Sequence, residues 1–364
     1  MSAGTGAAPR MGAPGLDYVR LFDQLSGQVK AAGLMAPRPG FYVAWMAGNG
    51  MMLAAGWVAF GVAGDTWWQL AVALYLAFWY GQTGLVGHDT GHRQVFRTRA
   101  ATEVAGFLHG NLLTGVSYGW WVNHHNRHHS HPNHLERDPD ILRRQVIFST
   151  SQLATRTGAA ARLIIRHQSW LFFLLILLEG FRLHLAGYLA AARGAIRRNR
   201  ALDIGVLTGH LLGYGAAVCW VLSPVRAVVF VLLHQMVFGL YMGLLFAPNH
   251  KGLPVRGGAE EELDWARRQI VTSRNLVSNR LVDYLYGGLN YQIEHHLFPT
   301  MPSVNLRRAR PLVREFCARH DLPYVEVTVG QSYRMVSEYL GEVSQQSSRL
   351  IARGATGPGT GRAG

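Results

Sequence analysis

Two long apolar segments lie next to each other in the first quarter of the chain. Residues 41–64 and 67–87 are each long enough to cross the hydrocarbon core of a bilayer, which takes about 20 helical residues, and the link between them contains no Lys or Arg. Backbone polar groups inside a bilayer must be paired within their own segment, so each run is expected to be an α-helix. The sequence therefore predicts a transmembrane helical hairpin in a polytopic all-α membrane protein.

Four more apolar segments follow this hairpin. Residues 203–222 and 227–247 carry few charges, and we predict that both cross the membrane. Residues 102–122 contain polar side chains and lead into a cluster of histidines, so we predict an interfacial or re-entrant segment. Residues 168–192 are also predicted to be interfacial, because their apolar run, 170–178, is too short to span and ends at a glutamate. Four transmembrane helices result.

Basic residues predict the orientation of these four helices. Arginines and lysines precede residue 41 and follow residue 87, and such an excess in short loops marks the cytoplasmic side. Four crossings then place both termini and all histidine-rich segments on the cytoplasmic side. The alternative is that 168–192 also crosses. The last histidine motif would then lie on the opposite face, and a site shared by all the motifs would be impossible.

The composition of the chain ends, the net charge and the cysteines predict the domain limits and the kinds of partner. Residues 1–15 and 345–364 are rich in small residues, so we expect flexible ends around one membrane domain, 16–344, with a cytosolic helical cap. The net charge is +14, and its arginines flank the apolar segments, which favours anionic membrane lipids over nucleic acid as partners. The two cysteines form no CxxC pair, so no thiolate metal site is expected.

Histidines are concentrated in three short motifs, HDTGH at 88–92, HNRHH at 125–129 and QIEHH at 292–296. Helical residues three or four apart share a face, so the first motif can direct two imidazoles at one ion and the second can direct three imidazoles at one or two ions. Adjacent histidines on a helix diverge by about 100° and suit two ions. A further histidine closes the fourth spanning segment at the same face. The candidate ligands of this predicted dimetal site are His88, His92, His125, His128, His129, His250, His295 and His296.

Other polar residues beside the motifs are candidates for binding a metal directly or for supporting the ligands, for example by orienting an imidazole through its second ring nitrogen. They are Gln292, Asp89, Glu294, His124, Asp138 and Asp140. For Asp138 and Asp140 the alternative is an ordinary helix cap or a solvated charge, and for His250 it is a helix-end histidine that binds terminal carbonyls. Isolated histidines such as His184 and His210 are expected to be structural. Imidazole alone does not select the metal.

The sequence around the motifs resembles one enzyme family. WWVNHHNRHHSHPN, DPDI and GGLNYQIEHHLFPTMP are similar to the membrane fatty acid desaturase superfamily, and most to the front-end (delta-5/delta-6, linoleoyl-CoA-like) acyl desaturases, over about residues 42–324. The resemblance implies four transmembrane helices and a cytosolic domain that holds two irons. It also implies that the eight histidines are ligands and that Gln292 lies at the site. In the implied reaction O2 is reduced while two hydrogens leave adjacent carbons of an acyl lipid or acyl-CoA.

This sequence departs from its relatives at two points. It contains no HPGG haem motif of a fused cytochrome b5 domain, so the resemblance implies a separate electron donor, such as a ferredoxin with an NAD(P)H-dependent reductase. Ser303 stands where an arginine commonly follows the third motif.

Two other functions remain as alternatives. A hydroxylase, ketolase or other monooxygenase on the same scaffold would use the same ligands, so the histidines do not separate it from a desaturase. A histidine-rich metal transporter or sensor would place ionisable residues at the bilayer midplane, whereas the three motifs lie outside the apolar runs.

Overall fold

A computed structural model describes most of the chain, namely residues 12, 15–142, 145–156, 158–196, 199–257 and 263–355. Apart from one short parallel pair, β1 (Asn275–Leu276) with β2 (Glu326–Val327), the regular structure of these residues is helical, which confirms the all-α prediction. The α-helices are α1 (Tyr18–Ala31), α2 (Pro39–Ala63), α3 (Gln69–Gly91), α4 (Arg99–Gly106), α5 (Tyr118–Ser130), α6 (Ala159–Leu175), α7 (Glu179–Ala192), α8 (Arg200–Val221), α9 (Pro224–His250), α10 (Trp265–Val271), α11 (Arg280–Tyr286), α12 (Gln292–Leu297), α13 (Ser303–Arg319) and α14 (Val329–Ala355). A π-helix (Phe107–Leu113) and 3-10 helices (Thr150–Thr155 and Ile176–Leu178) complete the helical set.

Among the described residues, five helical stretches are long and apolar enough, by length and composition, to cross a membrane. Four of them, α2, α3, α8 and α9, coincide with the predicted spans within a few residues at each end. Pro224 begins α9 in the first turn, where its missing N–H costs no hydrogen bond. Helices α3 and α9 continue beyond their apolar runs to Gly91 and His250, so both carry histidines in their last turns.

The two helical hairpins turn at the same end of the bundle. Asp65, in the link between α2 and α3, accepts hydrogen bonds from the Ser223 backbone N–H at 2.9 Å and from the Arg226 guanidinium at 2.6 Å. Ser223 lies in the turn between α8 and α9, and Arg226 lies in the first turn of α9. The opposite ends of α3 and α9 must therefore lie together, and these are the ends with the histidines.

The fifth apolar stretch corrects the prediction for 168–192. The helix runs without a break from Ala159 to Ala192 through α6, a 3-10 turn and α7, so it is long enough to span, and the expectation that it is too short is wrong. The polar residues that interrupt its apolar run are paired inside the protein. The Arg182 Nε donates to the Glu179 carboxylate at 2.7 Å, and a His184 ring nitrogen lies 2.8 Å from the Gln235 side-chain oxygen.

The contacts of this stretch place its middle against α9 and its last turn against α8. Ile176 packs with Ala247, near the end of α9, and at Gly180 the chain reaches the backbone of α9 near its middle. The last turn of α7 then packs against Ile204 in the first turns of α8. Because α8 and α9 are antiparallel, Ile204 and Ala247 lie at the same end. The four-crossing topology stays a prediction.

The segment predicted as interfacial or re-entrant is broken into several elements. Helix α4 leads into the π-helix, which packs against α3 and α8, and an irregular turn leads on to α5. Two isolated histidines bind backbone carbonyls of this turn, since His210 Nδ1 donates to the Leu112 oxygen and His184 Nδ1 to the Gly115 oxygen, each at 2.6 Å. Backbone groups that leave a helix inside a membrane protein need such partners. These two histidines are therefore structural, as expected.

Gly115 is required by the shape of this turn. Its φ is +67°, and a Cβ atom there would meet the His210 ring at 2.5 Å. We expect Gly115→Ala to lower the free energy of unfolding by about 1–3 kcal/mol, because a side chain adds left-handed strain and a clash. Thermal unfolding in detergent measures this change. Gly209→Ala in α8 is the matched control, because a Cβ there meets nothing within 4 Å, and equal melting temperatures for the two variants would contradict the expectation.

The cap is built from the two ends of the chain and the segment after α9. Helices α1, α10, α12 and α13 share one apolar core, which includes Leu25, Ile293 and Leu306. Helix α14 lies along α6 and continues to Ala355, so the expectation of a flexible tail from 345 is wrong as far as Ala355. Ser344 and Ser347 are buried in this helix and allow close packing. Residues 356–364 and nearly all of the predicted flexible start, 1–15, lie outside the described residues.

Candidate metal centre

Four elements bring all eight predicted histidines to one place at the end of the helical bundle. Helix α3 and its cap residue carry the first motif, α5 carries the second, α9 ends in His250 and α12 carries the third. Each of the eight side chains is at most 9% exposed to solvent. The clustering of distant motifs predicted from the sequence is therefore present in the fold.

The histidines form two groups. In the first, the ligand atoms of His88, His92, His125 and His295 all lie within 4.8 Å of one another. The second contains His128, His250 and His296 within the same limit. The adjacent residues His295 and His296 thus belong to different groups. The eighth ring lies between the groups, since His129 Nε2 is 3.1 Å from His125 Nε2 and its ring stacks on His296 at 4.1 Å between centroids.

The free nitrogens of these rings fit metal ions. Nε2 of His88, His92 and His296 is buried without a hydrogen-bond partner among the described residues, and so are both ring nitrogens of His295. An unpaired buried polar atom costs about 1–3 kcal/mol, so such an arrangement needs a ligand. Two nitrogens bound to one ion at about 2.0–2.1 Å are about 3 Å apart. The 3.1 Å between His125 and His129 and the 3.3 Å between His128 and His250 match this spacing.

The electrostatics of the site favour the metal-binding form of most rings. Burial lowers the pKa of His125, His129 and His295 well below that of free imidazole, and repulsion between neighbouring imidazoles lowers it further. Neutral imidazole has the free electron pair that a metal needs. Burial also lowers the pKa of His128, but the carboxylates of Asp138 and Asp140 outweigh burial, so the net shift is upward.

Oxygen acceptors hold the other nitrogen of four rings. Nδ1 of His88 lies 3.0 Å from Asp89, and Nδ1 of His128 lies 3.1 Å from Asp138. The His296 Nδ1 donates to the Gln269 side-chain oxygen and the His250 Nδ1 to the Thr272 carbonyl, each at 2.8 Å. These oxygens act as acceptors, so Nδ1 carries the proton and Nε2 is left for a metal. Asp89 and Asp138 thus occupy the orienting positions considered from the sequence.

The remaining candidates lie at different distances from the centre. Gln292 is beside the second group, with its amide nitrogen 2.8 Å from His250 Nε2. His124 belongs to neither group and lies 3.0 Å from an Asp140 oxygen, and Asp140 is 3.7 Å from His128 Nδ1. Glu294 corrects an expectation, because its carboxylate accepts from Asn275 at 2.8 Å and from Tyr324 at 2.7 Å instead of orienting an imidazole.

Sequence reasoning missed three residues that hold the ligands in place. Gln269 in α10 binds His296, and its amide also donates to the His129 backbone oxygen at 3.0 Å. Thr272 acts through its backbone carbonyl. Tyr42 lies in the first turn of α2, and its hydroxyl donates a hydrogen bond of 2.8 Å to the Asp89 carboxylate. Trp121, which precedes the second motif, also stacks on His125 with 4.5 Å between ring centroids.

Asp138 offers a direct test of the orienting contacts. Its carboxylate accepts hydrogen bonds from the Asn133 and Asp140 backbone N–H groups, each at 2.8 Å, and binds His128. Asp138→Asn leaves one acceptor oxygen for these donors, so we expect metal affinity to fall about 10- to 100-fold. Metal per chain, titrated against a competing chelator, measures this loss. Asp65→Asn makes the same change at the far end of the bundle, and a similar loss in that control would contradict the assignment.

Two cavities reach the histidines from different sides. One of about 890 Å³ touches His92 and has Arg93 and Arg99 in its wall. The other, of about 150 Å³, reaches His250 between α9 and the α6–α7 stretch, with walls such as Phe172 and Phe246. The centre is thus accessible from a basic side and from an apolar side.

Comparisons with known proteins agree with this geometry. The model of the fatty acid desaturase family matches residues 65–328. The chain is 33% identical to an acyl-lipid (9-3)-desaturase of Physcomitrium patens over 78% of this chain and 55% of that protein, so it spans about half of that relative's length. It is 30% identical to the delta(5) fatty acid desaturase fat-4 of Caenorhabditis elegans, over 91% of this chain and 75% of the relative. A delta(8)-fatty-acid desaturase of Arabidopsis thaliana is 29% identical over 85% and 71%. With its histidine motifs in one buried centre, the chain belongs to the fatty acid desaturase family.

Proposed function

We propose that this protein is an O2-dependent desaturase that introduces a cis double bond into a fatty acyl chain bound to a lipid or to CoA. Seven buried histidines in two adjacent groups carry this proposal. Four of them, His88, His92, His295 and His296, have an Nε2 atom without a hydrogen-bond partner among the described residues. Family membership supports the choice of reaction.

We assign one iron to the first group, made by His88, His92, His125 and His295, and the other to His128, His250 and His296. His129 lies between the two groups, and Gln292 stands beside the second. When bound, two irons would supply the oxidising power that breaks unactivated C–H bonds. In the overall reaction, O2, two electrons, two protons and two hydrogens of the acyl chain give two waters and one C=C bond.

The protein's own contribution is position and exclusion of water. The histidine groups are buried, and the aromatic wall of the cavity at His250 has the character that an acyl chain needs. A shift of about 1 Å in the reacting carbons costs about 10²-fold in rate, so this packing would determine which bond is oxidised. CoA and the headgroup of a glycerophospholipid both have phosphates, which suits Arg93 and Arg99 at the other cavity.

The chain is a membrane protein, and we propose that both termini and the metal centre are cytoplasmic. Arginines and lysines flank the histidine-bearing ends of the spans, as expected for the cytoplasmic side. Anionic membrane lipids are the expected neighbours of these basic residues.

Lipid analysis of cells that express the chain tests the proposed reaction. Gas chromatography with mass spectrometry, after feeding of defined fatty acids, should reveal a new double bond that depends on O2. A hydroxylated or keto product without a new double bond would favour the monooxygenase alternative. Metal analysis separates the other rival, since a desaturase should hold about two irons per chain, whereas one exchangeable zinc without oxygen consumption would favour a transporter or sensor.

A further inference from the structure

A basic depression of about 370 Å³ lies beside the metal centre, between α5 and α7. We call it the arginine pit and define it by five of its lining residues, which are Trp120, His124, Arg127, Arg182 and Arg193. None of the described residues that line it is acidic. Its walls also include apolar residues of α7, such as Leu185. A pit with this charge attracts an anionic partner.

The three arginines are not equivalent. Arg182 is paired with Glu179, so it adds little net charge. Arg127 and Arg193 are exposed on the rim. The pit therefore offers two guanidinium groups to a partner in an already basic protein of net charge +14.

A chain of short contacts leads from the pit to the second histidine group. The Arg182 guanidinium stands 5.6 Å from the centroid of the Trp120 ring, and Trp120 packs on His124 at 5.1 Å. His124 Nε2 is 3.0 Å from Asp140, which in turn is 3.7 Å from His128 Nδ1. His124 belongs to neither histidine group. It lies between the arginine pit and His128, a member of the second group.

The proposed reaction needs this kind of route. Each turnover consumes two electrons from outside, and the histidines are buried. An electron carrier must therefore approach a surface from which short contacts lead inward. The arginine pit has both the route and a positive rim.

We propose that the arginine pit is the docking surface of an acidic one-electron carrier protein, and that Trp120 and His124 form the path of the electron toward His128. This inference rests on the proposed function. Two carriers, each oxidised by one electron, would provide the two electrons of one turnover, and the two protons would come from water. The apolar wall at Leu185 would also suit a lipid, so the binding measurements compare an acidic carrier protein with lipid vesicles.

Binding of an acidic plant-type [2Fe–2S] ferredoxin tests the docking surface. We expect Arg127→Glu and Arg193→Glu each to weaken binding about tenfold at low salt, because a reversed rim charge repels the partner, and the difference should shrink at high salt. The measurement uses the full chain in detergent, both metal-loaded and after chelation, so that it does not depend on turnover. Iron content verifies that Arg127→Glu leaves the centre intact.

Arg314→Glu on α13 is the matched control. Arg314 is exposed and lies outside the arginine pit, so this substitution makes the same change of charge at another place on the surface. Unchanged ferredoxin binding in both pit variants, or an equal loss in the Arg314 variant, would overturn the proposal. A loss of binding to phosphatidylglycerol vesicles with normal ferredoxin binding would overturn it in favour of a lipid site.

The path itself has a separate test. With ferredoxin bound, His124→Phe should slow reduction of the centre about tenfold in stopped-flow absorption measurements, and unchanged reduction would overturn the path. A single turnover of the dithionite-reduced wild-type protein tests the proposed function alone. If that experiment gives no unsaturated product, the proposed function fails, whereas the binding measurements still decide the docking surface.

Discussion

Replacing His295 with alanine is expected to abolish product formation. Both of its ring nitrogens are buried and without a partner among the described residues, and its ring lies 4.8 Å from those of His88 and His92. Metal ions contribute several kcal/mol to a reaction they assist, so loss of one ligand should lower turnover by at least about 10³-fold. Mass spectrometry of the lipids measures product, and iron per chain should fall in parallel because the ion is under-coordinated.

A matched substitution separates this effect from a general loss of histidine. His320 lies in the cap outside both groups. It is partly exposed, and its ring contacts Phe316 edge-on with 4.8 Å between ring centroids. His320→Ala should therefore keep both product formation and iron. Normal turnover by the His295 variant would refute the assigned site. The assigned site would also be refuted if the His295 variant kept its full iron content but had an unfolded cap. The loss of activity would then have a structural cause.

The spans and the histidine motifs are predictable because they depend on local periodicity. Apolar runs near twenty residues in length predict helices without reference to the rest of the chain. The spacings in HDTGH and HNRHH predict which rings share a helix face, and the structure places those rings together. His295 and His296 are adjacent on a helix, so their side chains are predicted to diverge toward two different ions, and the two rings lie in different groups.

The errors come from residues whose environment only the fold determines. Glu179 and Arg182 interrupt an apolar run in the sequence, but in the fold they neutralise each other, so the helix continues through them. Ser347 belongs to a stretch typical of a flexible tail, yet it is buried in α14. Pairing and packing of this kind leave no periodic signal.

Several of the residues that orient the ligands could not be predicted from the sequence for the same reason. Glu294 lies inside the third motif, but the cap provides Asn275 and Tyr324 for its carboxylate, and so it does not orient a ligand. Gln269 and Thr272 bind ligands from a segment without any motif, and Thr272 uses its backbone. A backbone carbonyl is present at every residue, so no sequence pattern identifies it. Ligands are thus predictable from their chemistry, whereas their supports depend on tertiary structure.

Removal of the metals is expected to make the protein sensitive to acid. In the folded metal-free protein, burial and neighbouring rings hold the pKa of His125, His129, His295 and His296 well below the free value. In the unfolded chain these rings titrate near 6.5. Below pH 6.5 the unfolded chain therefore binds more protons, and the free energy of unfolding falls as the pH is lowered.

Each such ring contributes about 1.4 kcal/mol per pH unit between its two pKa values. Several rings together would remove a large part of a typical stability of about 5–15 kcal/mol. The raised pKa of His128 acts in the opposite sense, because its contribution is lost only as the pH rises above 6.5. Thermal unfolding at pH 8 and pH 5.5 should therefore show a large loss for the chelated protein. Bound iron favours the folded state by mass action, so the loaded protein should lose less.

The His295→Ala protein without metal provides the control for this pH dependence. It has one fewer ring with a lowered pKa, so the free energy of unfolding should depend on pH less steeply by about 1.4 kcal/mol per unit. An equal acid dependence with and without iron would show that other groups control stability. An unchanged dependence in the variant would show that His295 is already protonated in the folded protein. Either result would contradict a centre of buried, neutral imidazoles, which is the condition for binding two metal ions at this place in the fold.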